Sequence, residues 1–336
     1  MMDEFNRYRN KNGYIDFNIV PKIAYESPSN SIEAYEIDDD IYFFRGEFWY
    51  KAGIRELINE EIAKQVDIEN AAYDLAILDG KKGTITKRFI GYNEIFKEGY
   101  DILIDSSNKR KDNTLYNYLL FLKKEGVSNN RIQKICRGML ENYILDIFTL
   151  QEDRNLSNLG FLTKAKNIRL APRFDNEMSF LQNENGRRMW PFINSQNKKQ
   201  YIIEEVPTLL KQSNQDVFRL LSDTDLKDPI IDYWETISWD TIPQIKKEEM
   251  TKAVSLLNSR KTIQNVYKMI QKEMQDLSQF IDKASKTNFT EIYYNLSQYN
   301  IGLSENEKAF FKALYETRVE MFFDQKSKIK TRKKGE

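Results

Sequence analysis

The sequence predicts an α+β fold in two unequal lobes: a small strand-rich N-lobe (1–95), a mainly helical C-lobe (96–325) and a basic tail (326–336). Three observations predict it. Alternating apolar runs bounded by turn residues fill 14–91, with one helical pattern among them. Helical spacing dominates after Gly91. The length of 336 residues exceeds what one small core organises.

After a polar start (1–12), IDFNIVPKI is a β-type run interrupted by Pro21. ESPSNS (26–31) is a small polar loop, IEAYEI (32–37) alternates as a strand, Asp38 to Asp40 turn, and IYFF (41–44) returns. A loop over 46–53 leads to an amphipathic helix over 54–66, with Ile54, Leu57, Ile58 and Ile62 on one face and Glu56, Glu60 and Glu61 on a solvated one. AAYDLAIL (71–78), the tight turn DGKKG and TITKRFIG (84–91) form a second hairpin.

Beyond it, 113–126 is a helix stopped by Gly126, and 128–148 is a longer one with an apolar stripe of Ile132, Ile135, Met139, Leu140, Ile144, Leu145 and Phe148. LGFL and IRLA are short strands around the turn KAKN. Further helices are expected over 215–221, 228–237, 242–257, 263–281 and 305–323, and the run of lysines and arginines after 326 reads as a solvated tail.

Composition removes several function classes. Apolar residues are 40% and charged residues 30%, with 51 basic and 51 acidic side chains, so nothing in the bulk charge favours nucleic acid. There is no histidine, which excludes His-based triads and most zinc sites and leaves acid–base work to Asp, Glu, Lys or Tyr. A metal would be a hard, oxygen-liganded one. The single cysteine, Cys136, lies in an apolar helical pattern and reads as buried, in a reducing, cytoplasmic setting. No apolar run is long enough to span a membrane, and the N-terminus lacks an apolar signal core.

One stretch carries chemistry. In 151–180, Asp153 is followed at i+5 by Asn158 and, beyond a strand pair, by Asp175. An acid, an amide and a second acid at that spacing suit phosphoryl transfer, where the first acid serves the attacking hydroxyl and the other two hold Mg²⁺. A hairpin folds the chain back and brings Asn158 and Asp175 to one place.

The letters around these residues resemble the HipA-like protein kinase family, which carries N-x-D-R-H-x-x-N-F-G-F and then A-P-x-(Y/F)-D. The matching pieces are Asp153-Arg154, Asn158, Gly160-Phe161, Ala171-Pro172 and Phe174-Asp175, preceded by ENYILDIF. The likeness is closest over 141–180 and looser over 30–80, and the short chain is similar to the compact CtkA-type branch. It implies a bilobal protein-kinase-like fold, ATP with Mg²⁺, and phosphorylation of a protein hydroxyl, on Ser, Thr or Tyr. Some relatives act as toxins with an antitoxin partner or as effectors, so a protein substrate and an antitoxin partner are expectations, and secretion as an effector stands beside a cytoplasmic location.

The chain departs from the family in three places. Asn155 stands where the family has His. The ATP-binding lysine is replaced by Arg45, with Lys51 the nearest lysine, so either could reach the phosphates. The partner acid is Glu56, with Glu60 as second choice. The phosphate loop has no glycine, and Ser27, Ser29 and Ser31 are its candidate donors. Two other readings stay open on the same fold: a pseudokinase acting as an interaction module, and nucleotidyl transfer.

Overall fold

The computed structural model describes residues 2–29, 32–47, 51–103, 115–151, 154, 156–165, 167–180, 194–197, 200–201 and 279–332. Asp153, Asn155, Ser31 and the helices expected over 215–221, 228–237 and 242–257 lie outside these residues, as does most of 263–281.

A six-stranded sheet forms the N-lobe from β1 (Ile15–Asp16), β2 (Ile23–Ser29), β3 (Ile32–Ile37), β4 (Asp40–Gly46), β5 (Tyr73–Leu78) and β6 (Lys81–Lys87), in the order β1-β5-β6-β4-β3-β2. β1 is parallel to β5, and the other pairs are antiparallel. The β3–β4 and β5–β6 turns each use two left-handed residues. Asp38 and Asp39 have φ of 50° and 67°, and Asp79 and Gly80 have φ of 49° and 75°. That twist matches the strands, and Asp and Gly are the residues that tolerate it.

The expected polar loop at 26–31 is shorter than the sequence suggests. Residues through Ser29 extend β2, with a register irregularity between Tyr25 and Ser29. The β-type run after Tyr14 is also broken: only Ile15 and Asp16 pair, and the chain turns before Ile23.

The single N-lobe helix, α1 (Ala52–Gln65), occupies the expected place. Its acidic face, however, is not solvated: Glu56, Glu60 and Glu61 are all buried. Glu60 accepts the Tyr73 backbone N–H at 2.9 Å, and Glu61 accepts Nδ2 of Asn295 at 2.8 Å. Residues distant in sequence therefore cover the face that local periodicity left open.

The C-lobe contains β7 (Ile95–Glu98), α2 (Gly99–Leu103), α3 (Leu115–Lys124), α4 (Asn129–Thr149), β8 (Gly160–Lys164), β9 (Asn167–Leu170), α5 (Phe289–Gln298) and α6 (Glu305–Arg332). β7, unmarked by any alternation, adds to the β8–β9 hairpin to make a three-stranded sheet. α6 runs on to Arg332, so the first part of the basic tail is helical. All seven stripe residues of α4 are buried, as is Cys136.

The core falls on the two sides of the N-lobe sheet. One cluster joins α1, β5 and the C-lobe helices, and the other packs Phe5, Phe17, Tyr42 and Phe44 on the outer face. Two glycines allow close approach. A Cβ on Gly83 would meet the Arg45 carbonyl oxygen at 2.2 Å, and one on Gly160 would meet the Phe96 ring at 2.1 Å.

Candidate functional site

The chain enters the site from the C-terminus of α4. Leu150 takes a left-handed conformation (φ 48°) there, and its N–H and that of Gln151 return to carbonyls of the last turn. A left-handed leucine costs about 1–2 kcal/mol. Packing holds it: Leu150 is buried, and the Phe180 N–H donates to the Thr149 carbonyl at 2.7 Å. The turn ends the helix and starts the loop that leads to Arg154.

Arg154 is the hub of this loop. It is buried, and Nε and Nη2 donate to the Asp146 carboxylate at 2.9 and 3.1 Å. Nη1 donates to the carbonyls of Asn158 (3.0 Å) and Phe174 (2.6 Å), and Nη2 reaches Asn176 Oδ1 at 2.5 Å. One guanidinium thus ties the backbone at Asn158 to the backbone just before Asp175. These are the segments that carry the two residues expected from the sequence motif to hold a metal.

A second buried arginine, Arg173, shares Asp146 at 2.6 Å and donates to Asn59 Oδ1 on α1 at 2.8 Å. Burial lowers the Arg173 pKa; Asp146 opposes this and Arg154 adds to it. For Arg154, burial also pulls down, but Asp146, Asp175 and Glu56 together outweigh it and the pKa is raised. Main-chain bonds from Arg173 to Glu69 and from Ala71 to Arg173 stitch the segment after β9 to the α1–β5 connection.

Asp175 also has a left-handed backbone, φ 55°. Its N–H donates to Tyr73 Oη at 3.0 Å, and its carbonyl accepts Gln151 Nε2 at 2.6 Å. The side chain points across the cleft to Arg45 at the end of β4. Arg45 Nη1 lies 3.0 Å from Asp175 Oδ1, and Nη2 lies 2.8 Å from Glu177 Oε1. Partial burial pulls the Arg45 pKa down, but Asp175 and Glu177 outweigh it and leave it raised.

Glu56 sits beside this pair without bonding Arg45. Its two oxygens accept the backbone N–H (2.6 Å) and the side-chain N–H (3.1 Å) of Asn176. The expected Arg45–Glu56 pairing is therefore replaced by Arg45–Asp175–Glu177, with Glu56 bracing the residue between the two acids. Glu60 faces Tyr73 and Lys64 instead. Lys51 is the left-handed residue that starts α1, and its ammonium pairs with Glu307 of α6. Ser29 ends β2, and its backbone pairs with Ile32. Asn158 is 8% exposed.

Burial, then the Asp175 and Glu177 carboxylates, push the Glu56 pKa to about 8, against the lowering effect of Asn176. The ordinary value is 4.5, so between about 4.5 and about 8 the folded chain keeps a proton that the unfolded chain releases. Stability contributed by this group is full below 4.5 and is lost as pH rises through about 8. The chain has no histidine to titrate in that window. Glu47, also raised by burial, slopes the same way but is unchanged by a substitution at Glu56. We expect Glu56→Gln to flatten the fall of Tm between pH 5 and 8 relative to the wild-type chain. Parallel Tm–pH curves would show that Glu56 does not titrate there.

An amide oxygen and a carboxylate are donors of the kind that Mg²⁺ takes. Mg²⁺ takes one or two protein oxygens and completes its shell with phosphate and water. Asn158 and Asp175 could supply an amide oxygen and a carboxylate, and Arg45 lies against Asp175. Among the described residues no group of three or more His, Cys, Asp or Glu is arranged for a metal, so a cage of protein ligands alone is not present there.

Sequence reasoning missed Asp146, Arg173, Asn176 and Glu177. Asp146 had a signal: it continues the buried face of α4 three residues after Tyr143, where an unpaired charge would be costly. Asn176 and Glu177 directly follow the quoted motif, but their partners come from α1 and β4.

Among solved structures, the chain is similar to a Helicobacter pylori proinflammatory kinase, CtkA, with a TM-score of 0.60 and 12% identity over 94% of this chain and 98% of that one. It also matches the Shewanella oneidensis MR-1 toxin–antitoxin complex of HipA, HipB and operator DNA, with a TM-score of 0.44 and 12% identity. That match covers 90% of this chain and 63% of the other, less than two thirds of its length. No protein-family profile and no curated protein matches the chain. Among the described residues no helix is long and apolar enough to cross a membrane. The chain has an α+β fold with a strand-rich sheet and a helical lobe, the fold of the CtkA kinase.

Proposed function

We propose that this chain is a HipA-like, ATP-dependent protein kinase that phosphorylates a protein hydroxyl. The observation that carries the reading is the 3.0 Å ion pair between Arg45 at the end of β4 and Asp175 of the A-P-R-F-D segment. It joins the N-lobe cation expected at the phosphates to the C-lobe acid expected at the metal.

In this reading Asp153 orients the hydroxyl and accepts its proton. Asn158 and Asp175 hold Mg²⁺, and Arg45 offers its charge to the phosphate oxygens. Bound Mg·ATP supplies the phosphoryl group and the charge neutralisation. Arg154 holds the Asn158 segment against the backbone just before Asp175 through its bonds to the Asn158 and Phe174 carbonyls. Phe89, Phe96 and Phe174 pack on one another with ring centroids 5.5 to 5.9 Å apart, joining the chain after β6, β7 and the Asp175 segment. Phe43, on the same face of β4 as Arg45, pairs with Ala34 and Thr86. An antitoxin-type protein partner belongs to the proposal through the family resemblance alone.

The test combines nucleotide binding and labelling. Mg·ATP should raise the Tm of the wild-type chain by mass action. Labelling from γ-radiolabelled ATP should fall by about 10²–10⁴-fold in Asp153→Ala and be lost in Asp175→Ala. Unchanged labelling in both variants would remove the assignment, and a nucleotidyl adduct by mass spectrometry would redirect it to nucleotidyl transfer.

One observation favours a pseudokinase as the second reading: Lys51, the nearest lysine, is engaged with Glu307. Activity that appears only in Arg45→Lys would select it.

A further inference from the structure

Arg45 is held by two acids, and only one of them belongs to the motif. Glu177 lies two residues beyond Asp175, with its side chain 12% exposed against 25% for Asp175 and 41% for Arg45. It sits on a turn fixed from several sides. Ser179 donates to the Asn176 carbonyl through its N–H (3.1 Å) and its hydroxyl (2.5 Å), and Asn59 Nδ2 donates to Ser179 Oγ at 2.6 Å. Between the two acids, Asn176 is clamped by Glu56 and Arg154. Asp175 and Glu177 are therefore presented at a set separation, and each takes one Nη nitrogen of the guanidinium fork.

We propose that Glu177 is a positioning residue for Arg45: it keeps the guanidinium in the cleft when Asp175 is engaged elsewhere, and it is the reason an arginine serves at this position. This rests on the reading of the site as a Mg·ATP site. A guanidinium has two outward nitrogens and can stay on Glu177 through Nη2 while Nη1 is given up to a new anion. A lysine ammonium is a compact point charge on a flexible stem and lacks that fork. The long Arg45 side chain would otherwise be immobilised at the moment of binding, and an arginine already held by Glu177 has that cost removed from the nucleotide's affinity.

The alternative is a pure charge effect, which has the opposite sign. A carboxylate close to phosphates repels them, so its removal would tighten nucleotide binding whether arginine or lysine supplies the cation. A four-protein cycle separates the two: wild type, Glu177→Gln, Arg45→Lys and the double variant, each titrated with Mg·ATP by calorimetry, with Tm without nucleotide as the control for folding. We expect Glu177→Gln to weaken Mg·ATP binding by about two- to tenfold when Arg45 is present, and to leave it unchanged or slightly tighter in the Arg45→Lys background. Glu177→Asp, which keeps the charge on a shorter stem, should fall between. Equal effects in both backgrounds, or tighter binding in the wild-type background, would overturn the role of Glu177 while leaving the nucleotide site standing. Absence of Mg·ATP binding by the wild-type chain would overturn both.

Discussion

Asp146→Ala is expected to lower the folding free energy by about 3–5 kcal/mol, the cost of leaving buried charge without its partner. Asp146 is 2% exposed and is the carboxylate shared by Arg154 and Arg173, which are each 3% exposed. Its removal takes two bonds from Arg154 and one from Arg173 and leaves two guanidinium groups facing each other away from water. The remaining partners of Arg154 are Asn158, Phe174 and Asn176, so the damage spreads to both sides of the candidate site. Asp146→Asn keeps the shape and one acceptor but not the charge, and should cost less than Ala. Urea unfolding measures both; a midpoint for Asp146→Ala within error of wild type would show that the arginines find other partners.

Phe161→Ala should cost about 3–5 kcal/mol by creating a cavity. Phe161 is fully buried on β8, with the Tyr118 ring at 5.6 Å and the Phe121 ring at 6.3 Å. Its strand begins two residues after Asn158 and pairs on both sides, with β7 and with β9. The cavity therefore lies under the hairpin that returns the chain toward Asp175. The expected signature is a lower urea midpoint with an unchanged slope, since the surface exposed on unfolding stays the same. A changed slope would instead mean that the native hairpin itself has opened.

These two effects show where local reading worked and where it stopped. Strand alternation and turn residues marked the β3–β4 and β5–β6 hairpins, because the sheet period of two and the left-handed Asp and Gly positions are properties of adjacent residues. The stripe of α4 was legible for the same reason. The spacing of Asn158 and Asp175 around a short hairpin pointed to one site, and Arg154 links the two segments. β7 escaped because IFKE has no alternation, and it pairs with β8 across more than sixty residues of sequence. The acids of α1 looked solvated because their cover comes from Asn295 and Asn176.

The sequence by itself determined the α+β class, the order of the N-lobe elements, the long α4 helix and the identity of the polar residues around Asp175. Local periodicity and turn chemistry act over a few residues, so a chain carries them without its fold. Only the tertiary structure decided which charges meet. Arg45 turned from Glu56 to Asp175 and Glu177, Lys51 to Glu307, and Asp146 to two arginines. A charge buried in a low-dielectric interior must be matched by whatever the fold brings within about 3 Å, and that choice depends on how distant segments pack rather than on their spacing along the chain.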